Sequence, residues 1–300
     1  MSLASTPLIG AGLVALYTLT ISAADGITKL IAGGYAAPQL FALSAALVLL
    51  LTLGANRLGG QGAVAAGGLR TTCPRAMALR AALTVLACIG FFQAFRLLPF
   101  ADVFLFIGLM PVIAATLSGP TLGEPLRPSA LLGLALGVLG IWCLMPAGLS
   151  AAQAGHAWAL MAAVTGTGSM LCARYIGRYE RNALAQVFYP NLAIFAVMAL
   201  ALPFVWRPMP LADLAWVAGY ALCLFAARWL VTVALRLLPA YVATPLMNLQ
   251  FVWMVVIGYA AFGEVPGAGT ITGVTLVIAS GLWLVMDDWL PRRAQAQQRA

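Results

Sequence analysis

Residues 96–124 read RLLPFADVFLFIGLMPVIAATLSGPTLGE, and residues 236–264 read RLLPAYVATPLMNLQFVWMVVIGYAAFGE. The two stretches have the same length. Each opens on Arg-Leu-Leu-Pro (Arg96 to Pro99, Arg236 to Pro239) and closes on Gly-Glu (Gly123-Glu124, Gly263-Glu264), at one offset of 140 residues. Gly133 and Gly273 extend the match at that offset. Gly, Leu and Pro are common in apolar chains, so either motif alone would mean little. Both together, without a gap, indicate an internal repeat. Earlier segments align more loosely, near an offset of 145: Thr20 and Ser22 fall opposite Thr165 and Thr167, and Lys29 opposite Arg174.

The rest of the chain explains what is repeated. Its 300 residues are 63% hydrophobic and 8% charged, with a mean hydropathy of +0.99. Soluble domains carry roughly 25% charged residues. A chain this apolar cannot cover itself with a water-compatible surface, so its solvent is mostly lipid. Charged residues, Pro/Gly turns and interfacial aromatics divide it into ten apolar runs, each near the ~20 residues a spanning helix needs. They cover 7–32, 37–56, 76–97, 100–121, 128–146, 156–176, 183–204, 213–236, 240–262 and 268–289. The first run lacks a basic leader and reads as a span rather than a removable signal. The expected class is an all-α integral membrane protein, with repeats at 1–150 and 151–290 and a basic tail at 291–300.

The net charge of +8 would suggest nucleic acid in a soluble protein. Here the bases sit between apolar runs, which points to membrane topology. With a cytoplasmic N-terminus, eleven arginines (57, 70, 75, 127, 174, 178, 181, 236, 292, 293 and 299) fall on the cytoplasmic side. Only Lys29, Arg96 and Arg207 fall opposite. The positive-inside rule therefore places both termini in the cytoplasm. Five spans per repeat is an odd number, so the second copy enters the membrane inverted. Inverted repeats put a binding site near the midplane and permit alternating access, a common device of transporters.

With these motifs in hand, the chain resembles the drug/metabolite transporter superfamily, EamA-type branch. There the fourth span carries a Pro followed about a dozen residues later by Gly-Glu, as Pro111 and Gly123-Glu124 are here. The second copy keeps Gly263-Glu264 but has Phe251 in place of the Pro. Within the branch the sequence is similar to the YddG-like exporters of aromatic and other neutral amino acids. The resemblance implies a bacterial inner-membrane exporter with a central cavity and no ATP-binding module, and the chain has no Walker-type GxxxxGK[ST].

Polar groups inside spans are costly and mark candidate function. Asp25 and Lys29 lie four apart on one helix face. They form a neutralised ion pair, or Asp25 binds a substrate amine or a coupling proton. Arg228, followed by Trp229, lies deep in the eighth run and needs a cavity, a substrate carboxylate or a carboxylate from another span. Thr18, Thr20 and Ser22, with Thr165 to Ser169, either pack helices closely or line the path. Gln93, Asn191, Asn248 and Gln250 are neutral polar groups that bind a substrate's amino or carboxylate group without a permanent charge, or bridge helices. Tyr17, Met110, Tyr189, Trp229 and Trp253 wall an apolar pocket or simply pack. Asp102 and Asp213 read as helix N-caps, Glu264 as capping or paired, and His156 as a solvated residue at a span end. Trp206 and Trp216 read as interfacial.

No nucleophile–base pair or metal-ligand cluster stands out, so an enzyme is disfavoured and no cofactor or metal is expected. A channel lacks its filter-like glycine run. The expected partners are a small-molecule substrate and the bilayer, with a monomer or homodimer as the assembly and nucleic acid excluded. Proton coupling through Asp25, as in a cationic-drug antiporter, and facilitated export both stay open. A reporter fused after Ala300 tests the topology: it should be active only as a cytoplasmic fusion, and periplasmic activity would refute the orientation.

Overall fold

The computed structural model describes residues 5–58, 68–122, 135–136, 139, 153–180, 183–237, 247, 249–276 and 278–279. Among these every regular element is helical. In chain order they are α1 (Ser5–Ala32), α2 (Ala37–Leu58), α3 (Pro74–Leu97), α4 (Phe100–Leu122), α5 (Ala154–Gly177), α6 (Ala183–Val205), α7 (Leu211–Leu237) and α8 (Leu249–Phe262). Helical backbone resumes at 268–276. Seven of the apolar runs coincide with α1 to α7 to within two residues at each end. The run at 128–146 lies almost wholly outside the described residues, as do 240–246 and 280–289. By length and composition, Ile9–Ala32, Ala37–Leu58, Pro74–Leu97 and Leu184–Val205 are long and apolar enough to cross a membrane.

The repeated Arg-Leu-Leu-Pro motif has a local cause. A residue before proline is pushed out of the α region. Leu98 is accordingly extended, at φ −119° and ψ 156°, and α3 stops at Leu97. Pro99, which has no N–H to lose, then precedes α4, and its carbonyl accepts the N–H of Asp102. At Arg96–Pro99 the motif is a helix-to-helix corner; Leu238 and Pro239 of the second copy lie outside the described residues.

Packing is closest where small residues let backbones approach. The most extensive contact joins α3 and α5. A Cβ on Gly90 would lie 2.9 Å from Ala162 Cβ and 3.0 Å from the Trp158 carbonyl. Thr84 and Ser169 hydroxyls meet at 2.7 Å. Leu98, past the end of α3, touches Gly155 at the start of α5, and Leu83 touches Gly168, so this pair is antiparallel. The next two contacts in extent are α1 with α7 and α2 with α6. Tyr35, past the end of α1, meets Asp213 at the start of α7, and Gln39, at the start of α2, meets Arg207 beyond α6. Those pairs are antiparallel as well. In contrast, α4 runs parallel to α5, with Phe106 near His156 and Met110 on Gly166. Likewise α8 runs parallel to α1, with Ile257 on Gly26. Two buried clusters fill the interior. One is built around Ile27, Leu40, Phe41, Phe92 and Tyr220, the other around Phe95, Phe100, Phe104 and Met254.

Replacing Gly90 by Ala should destabilise the protein by roughly 1–3 kcal/mol, the usual range for overpacking, because the contact includes a backbone carbonyl that cannot rotate away. Gly54, with nothing within 4 Å, is the control. A melting-temperature comparison in detergent checks this: Gly90→Ala should melt several degrees lower and Gly54→Ala close to wild type.

Candidate functional site

A polar stripe runs along α1. Thr18, Ser22, Asp25 and Lys29 recur at helical spacing and so share a face. That face meets α8 and the turn after it. Gln250 donates its side-chain amide to Asp25 Oδ2 at 3.1 Å, and its carbonyl accepts from Ser22 Oγ at 3.3 Å. Trp253 Nε1 donates to Thr18 Oγ1 at 3.2 Å. Thr18 and Ser22 are fully buried, whereas Asp25, Gln250 and Trp253 are half-buried. Tyr17 lies within electrostatic reach of Asp25.

A matching contact joins α5 to α4. Thr167 Oγ1 approaches the Met110 carbonyl at 3.5 Å, the outer limit of a hydrogen bond, and the Met110 side chain seats on Gly166. Ser22 and Thr167 stand 145 residues apart; Met110 and Gln250 stand 140 apart. The two hydroxyl-to-carbonyl contacts thus join equivalent positions of the sequence repeat. They differ in one respect. The second copy presents the polar Gln250 where the first presents Met110.

Lys29 does not pair with Asp25, correcting one reading of that i, i+4 spacing. Its ammonium lies 2.8 Å from Glu264 Oε1, donates to the Leu98 carbonyl at 2.8 Å and sits over the Phe262 ring. The other carboxylate oxygen, Glu264 Oε2, accepts the Phe100 backbone N–H at 2.7 Å, one of the four unpaired donors at the start of α4. This accounts for the Gly-Glu motif. Gly263 has φ +66° and donates to the Tyr259 carbonyl, a left-handed helix cap that favours glycine. The turn throws Glu264 back across the end of α4. The Lys29 and Glu264 side chains are only 13% and 27% exposed. Nearby, Thr270 donates to Asp102 Oδ1 at 2.6 Å. A cavity between Asp102, Met254, Gly258, Glu264 and Thr270 adjoins the pair.

Other sequence candidates fall elsewhere. Thr20 turns its hydroxyl onto its own helix, to the Leu16 carbonyl. Asn191 is buried and donates to the Val187 carbonyl on its own helix. Tyr189 packs on the small cluster of Met77, Ile176 and Ala185, away from the α1–α8 seam. Gln93 is half-buried on α3. Arg228 and Trp229 lie on α7, with side chains outside the described ones, and Asn248 lies outside the described residues. Asp102 and Asp213 are not N-caps: each stands in the first turn of its helix. Asp213 accepts from Tyr35 instead. His156 is not solvated. It is buried, and its Nδ1 accepts the Gln153 backbone N–H at 3.0 Å in a capping box. Sequence reasoning missed Thr270, which no charge or spacing marked. It also missed Gln39, a fully buried amide whose signal was a lone polar residue in an apolar run.

No family model matches the chain, and no curated protein matches it. One solved structure, described simply as the crystal structure of a protein, is similar to it. The TM-score is 0.62 at 20% identity, over 98% of this chain and 99% of that one. At that identity the likeness establishes a shared fold only.

The Lys29–Glu264 pair should behave as one unit. In a double-mutant cycle with Lys29→Met and Glu264→Gln, either single change should cost nearly as much thermal stability in detergent as both. A coupling of about 1–3 kcal/mol is the range for directly contacting groups; additive losses would show that the ion pair contributes nothing.

Proposed function

We propose that this chain is a ten-span membrane transporter of the drug/metabolite type, moving small solutes along the seam where α1 meets α8 and α4 meets α5. In this reading two five-helix repeats of opposite orientation rock about that seam. Support comes first from pairing. The contact of α1 with α7 corresponds under the repeat to that of α5 with α3, and α1 with α8 corresponds to α5 with α4. The two hydroxyl-to-carbonyl contacts add atomic support. Relative helix directions, antiparallel or parallel as described, all agree with strictly alternating spans.

Charge supports an orientation. Lys29, Arg96 and Arg207 share one end of the bundle with Asp102, Asp213 and Glu264, where Lys29, Gln39 and Tyr35 make their contacts. Arg57, Arg70, Arg75, Arg174 and Arg178 gather at the other end. The positive-inside rule makes that richer end cytoplasmic. The Lys29–Glu264 pair then closes the outer end, joining α1, the α3–α4 corner and the turn after α8. Outward opening has to break it.

One observation carries the reading: Asp25, about 10 Å of helix rise before the end of α1, is bonded to the neutral amide of Gln250. Its neighbouring lysine is engaged by Glu264. A carboxylate set in a span against a neutral amide is a costly arrangement, which a function has to justify. It suits the amino group of a neutral or aromatic amino acid, with Trp253, bonded to Thr18 on the same face of α1, and Tyr17, within electrostatic reach of Asp25, available for the side chain. The same carboxylate also suits a transported proton, which is the basis for a second reading as a proton-coupled exporter of cationic compounds.

Counterflow in liposomes against aromatic amino acids, small neutral amino acids and cationic drugs tests the proposal. Asp25→Asn should lower the counterflow of amine-bearing substrates by at least about tenfold, the loss of one charge-assisted hydrogen bond, while reconstituting normally. Unchanged counterflow in that variant would remove Asp25 from the site. Dependence on a pH gradient, abolished by an uncoupler, would select the proton-coupled reading. No movement of any panel member would reject amino-acid transport.

A further inference from the structure

The end of the bundle that carries Lys29 also carries a basic pocket with no part in the transport seam. It is bounded by Gly33, Gly34, Tyr35, Ala36, Arg96, Phe204, Trp206 and Arg207, and encloses about 450 Å³. Among the described residues two arginines line it and no carboxylate does. Asp213 lines an adjoining pocket that shares Gly34, Tyr35 and Arg207 with this one. There the Tyr35 hydroxyl donates to it at 2.5 Å, a bond that holds the Tyr35 phenol above its ordinary pKa and so keeps it protonated.

Arg207 is held in place. The fully buried Gln39 side chain donates to the Arg207 carbonyl at 2.8 Å and accepts the Arg207 backbone N–H at 3.2 Å. This two-point clamp fixes the backbone of a residue that follows the end of α6. The Arg207 guanidinium gives one nitrogen to the Gly34 carbonyl at 3.2 Å. A guanidinium has five N–H donors in a planar fork, so others remain for a ligand, and that fork matches a phosphate. Arg96 stands in the last turn of α3 and is exposed. Around the mouth, Phe204 is 88% and Trp206 48% exposed. Aromatic rings beside basic groups at the end of a spanning helix are the pattern of the membrane–water interface.

We propose that this pocket binds the phosphate of an anionic phospholipid, with Arg96 and Arg207 on the headgroup and Phe204 and Trp206 against the glycerol and upper acyl chain. Two cations without a carboxylate select a headgroup that has no ammonium of its own. Phosphatidylglycerol fits; phosphatidylcholine brings a third positive charge into the pocket. The inference rests on the chain lying in a membrane, and not on what it transports.

Native mass spectrometry of the full-length protein in detergent tests it, with titrations of phosphatidylglycerol, phosphatidylcholine and soluble glycerol 3-phosphate. Phosphatidylglycerol should be retained and should raise the melting temperature, while the other two do neither. The double variant Arg96→Gln with Arg207→Gln should bind phosphatidylglycerol roughly thirtyfold more weakly, since each base near an anionic headgroup contributes a factor of about five. Equal retention of phosphatidylcholine, unchanged binding in the double variant, or an equal effect of glycerol 3-phosphate would each overturn the proposal, the last by identifying a soluble anion as the ligand. If the double variant is not monodisperse, Arg96→Gln alone decides: a loss of about fivefold supports the site and no loss refutes it.

Discussion

In hydrocarbon there is no water to complete a hydrogen bond, and this constraint governs every polar group in the molecule. It makes the described secondary structure helical throughout, because a helix satisfies its own backbone. It also acts on side chains. Thr28, Thr52 and Thr165 each turn a hydroxyl back onto a carbonyl four residues earlier on the same helix. Asn191 does the same with its amide. Such groups are satisfied locally and need no neighbour. The informative polar groups are those that cross between helices. Among the described residues they lie where α1 meets α8, where α5 meets α4, at the Lys29 end of the bundle, and where α3 and the segment before it meet α5, α6 and Glu180.

The two repeated motifs are devices for managing helix ends under the same constraint. Arg-Leu-Leu-Pro forces Leu98 out of the helix and turns the chain within three residues. This leaves the first N–H groups of α4 without partners. Gly-Glu answers that need from elsewhere in the chain. Gly263 takes a left-handed conformation, and Glu264 reaches the Phe100 N–H. Lys29 then balances the carboxylate and takes the Leu98 carbonyl. A corner from one half of the chain and a cap from the other are therefore complementary. Burial raises the stakes: removing either charge leaves the other in a poorly solvated site, so the pair differs from an exposed surface salt bridge.

The apolar corners and the polar seam divide the labour. Where Gly90, Gly155 and Gly168 bring α3 against α5, contact is close and rigid. Where α1 faces α8, polar side chains replace close packing, and Asp25, Gln250 and Trp253 keep partial exposure. The difference between Met110 and Gln250 at equivalent positions makes the seam chemically asymmetric. One side of the seam is soft and apolar and the other is a hydrogen-bonding amide.

Hydropathy and the placement of charge suffice to read seven helices to within two residues, because a span has to be long, apolar and closed by interfacial groups. The 140-residue offset likewise reveals which positions are equivalent, since it is a property of the letters alone. Partnership is another matter. The spacing of Asp25 and Lys29 allows an ion pair on one helix, yet Lys29 goes to Glu264, a residue 235 positions away, because Glu264 is also held by the start of α4. His156 reads as an interfacial residue and is instead a buried cap. Gln39 carries no charge or motif, but it clamps Arg207 through two backbone bonds. In each case the deciding term is the competition among unsatisfied backbone groups that only the packed helices bring together. The sequence by itself determined the apolar, helical character of the chain and the bounds of seven helices; only the tertiary structure decided which polar groups meet, because each must find its partner across a gap that sequence distance does not measure.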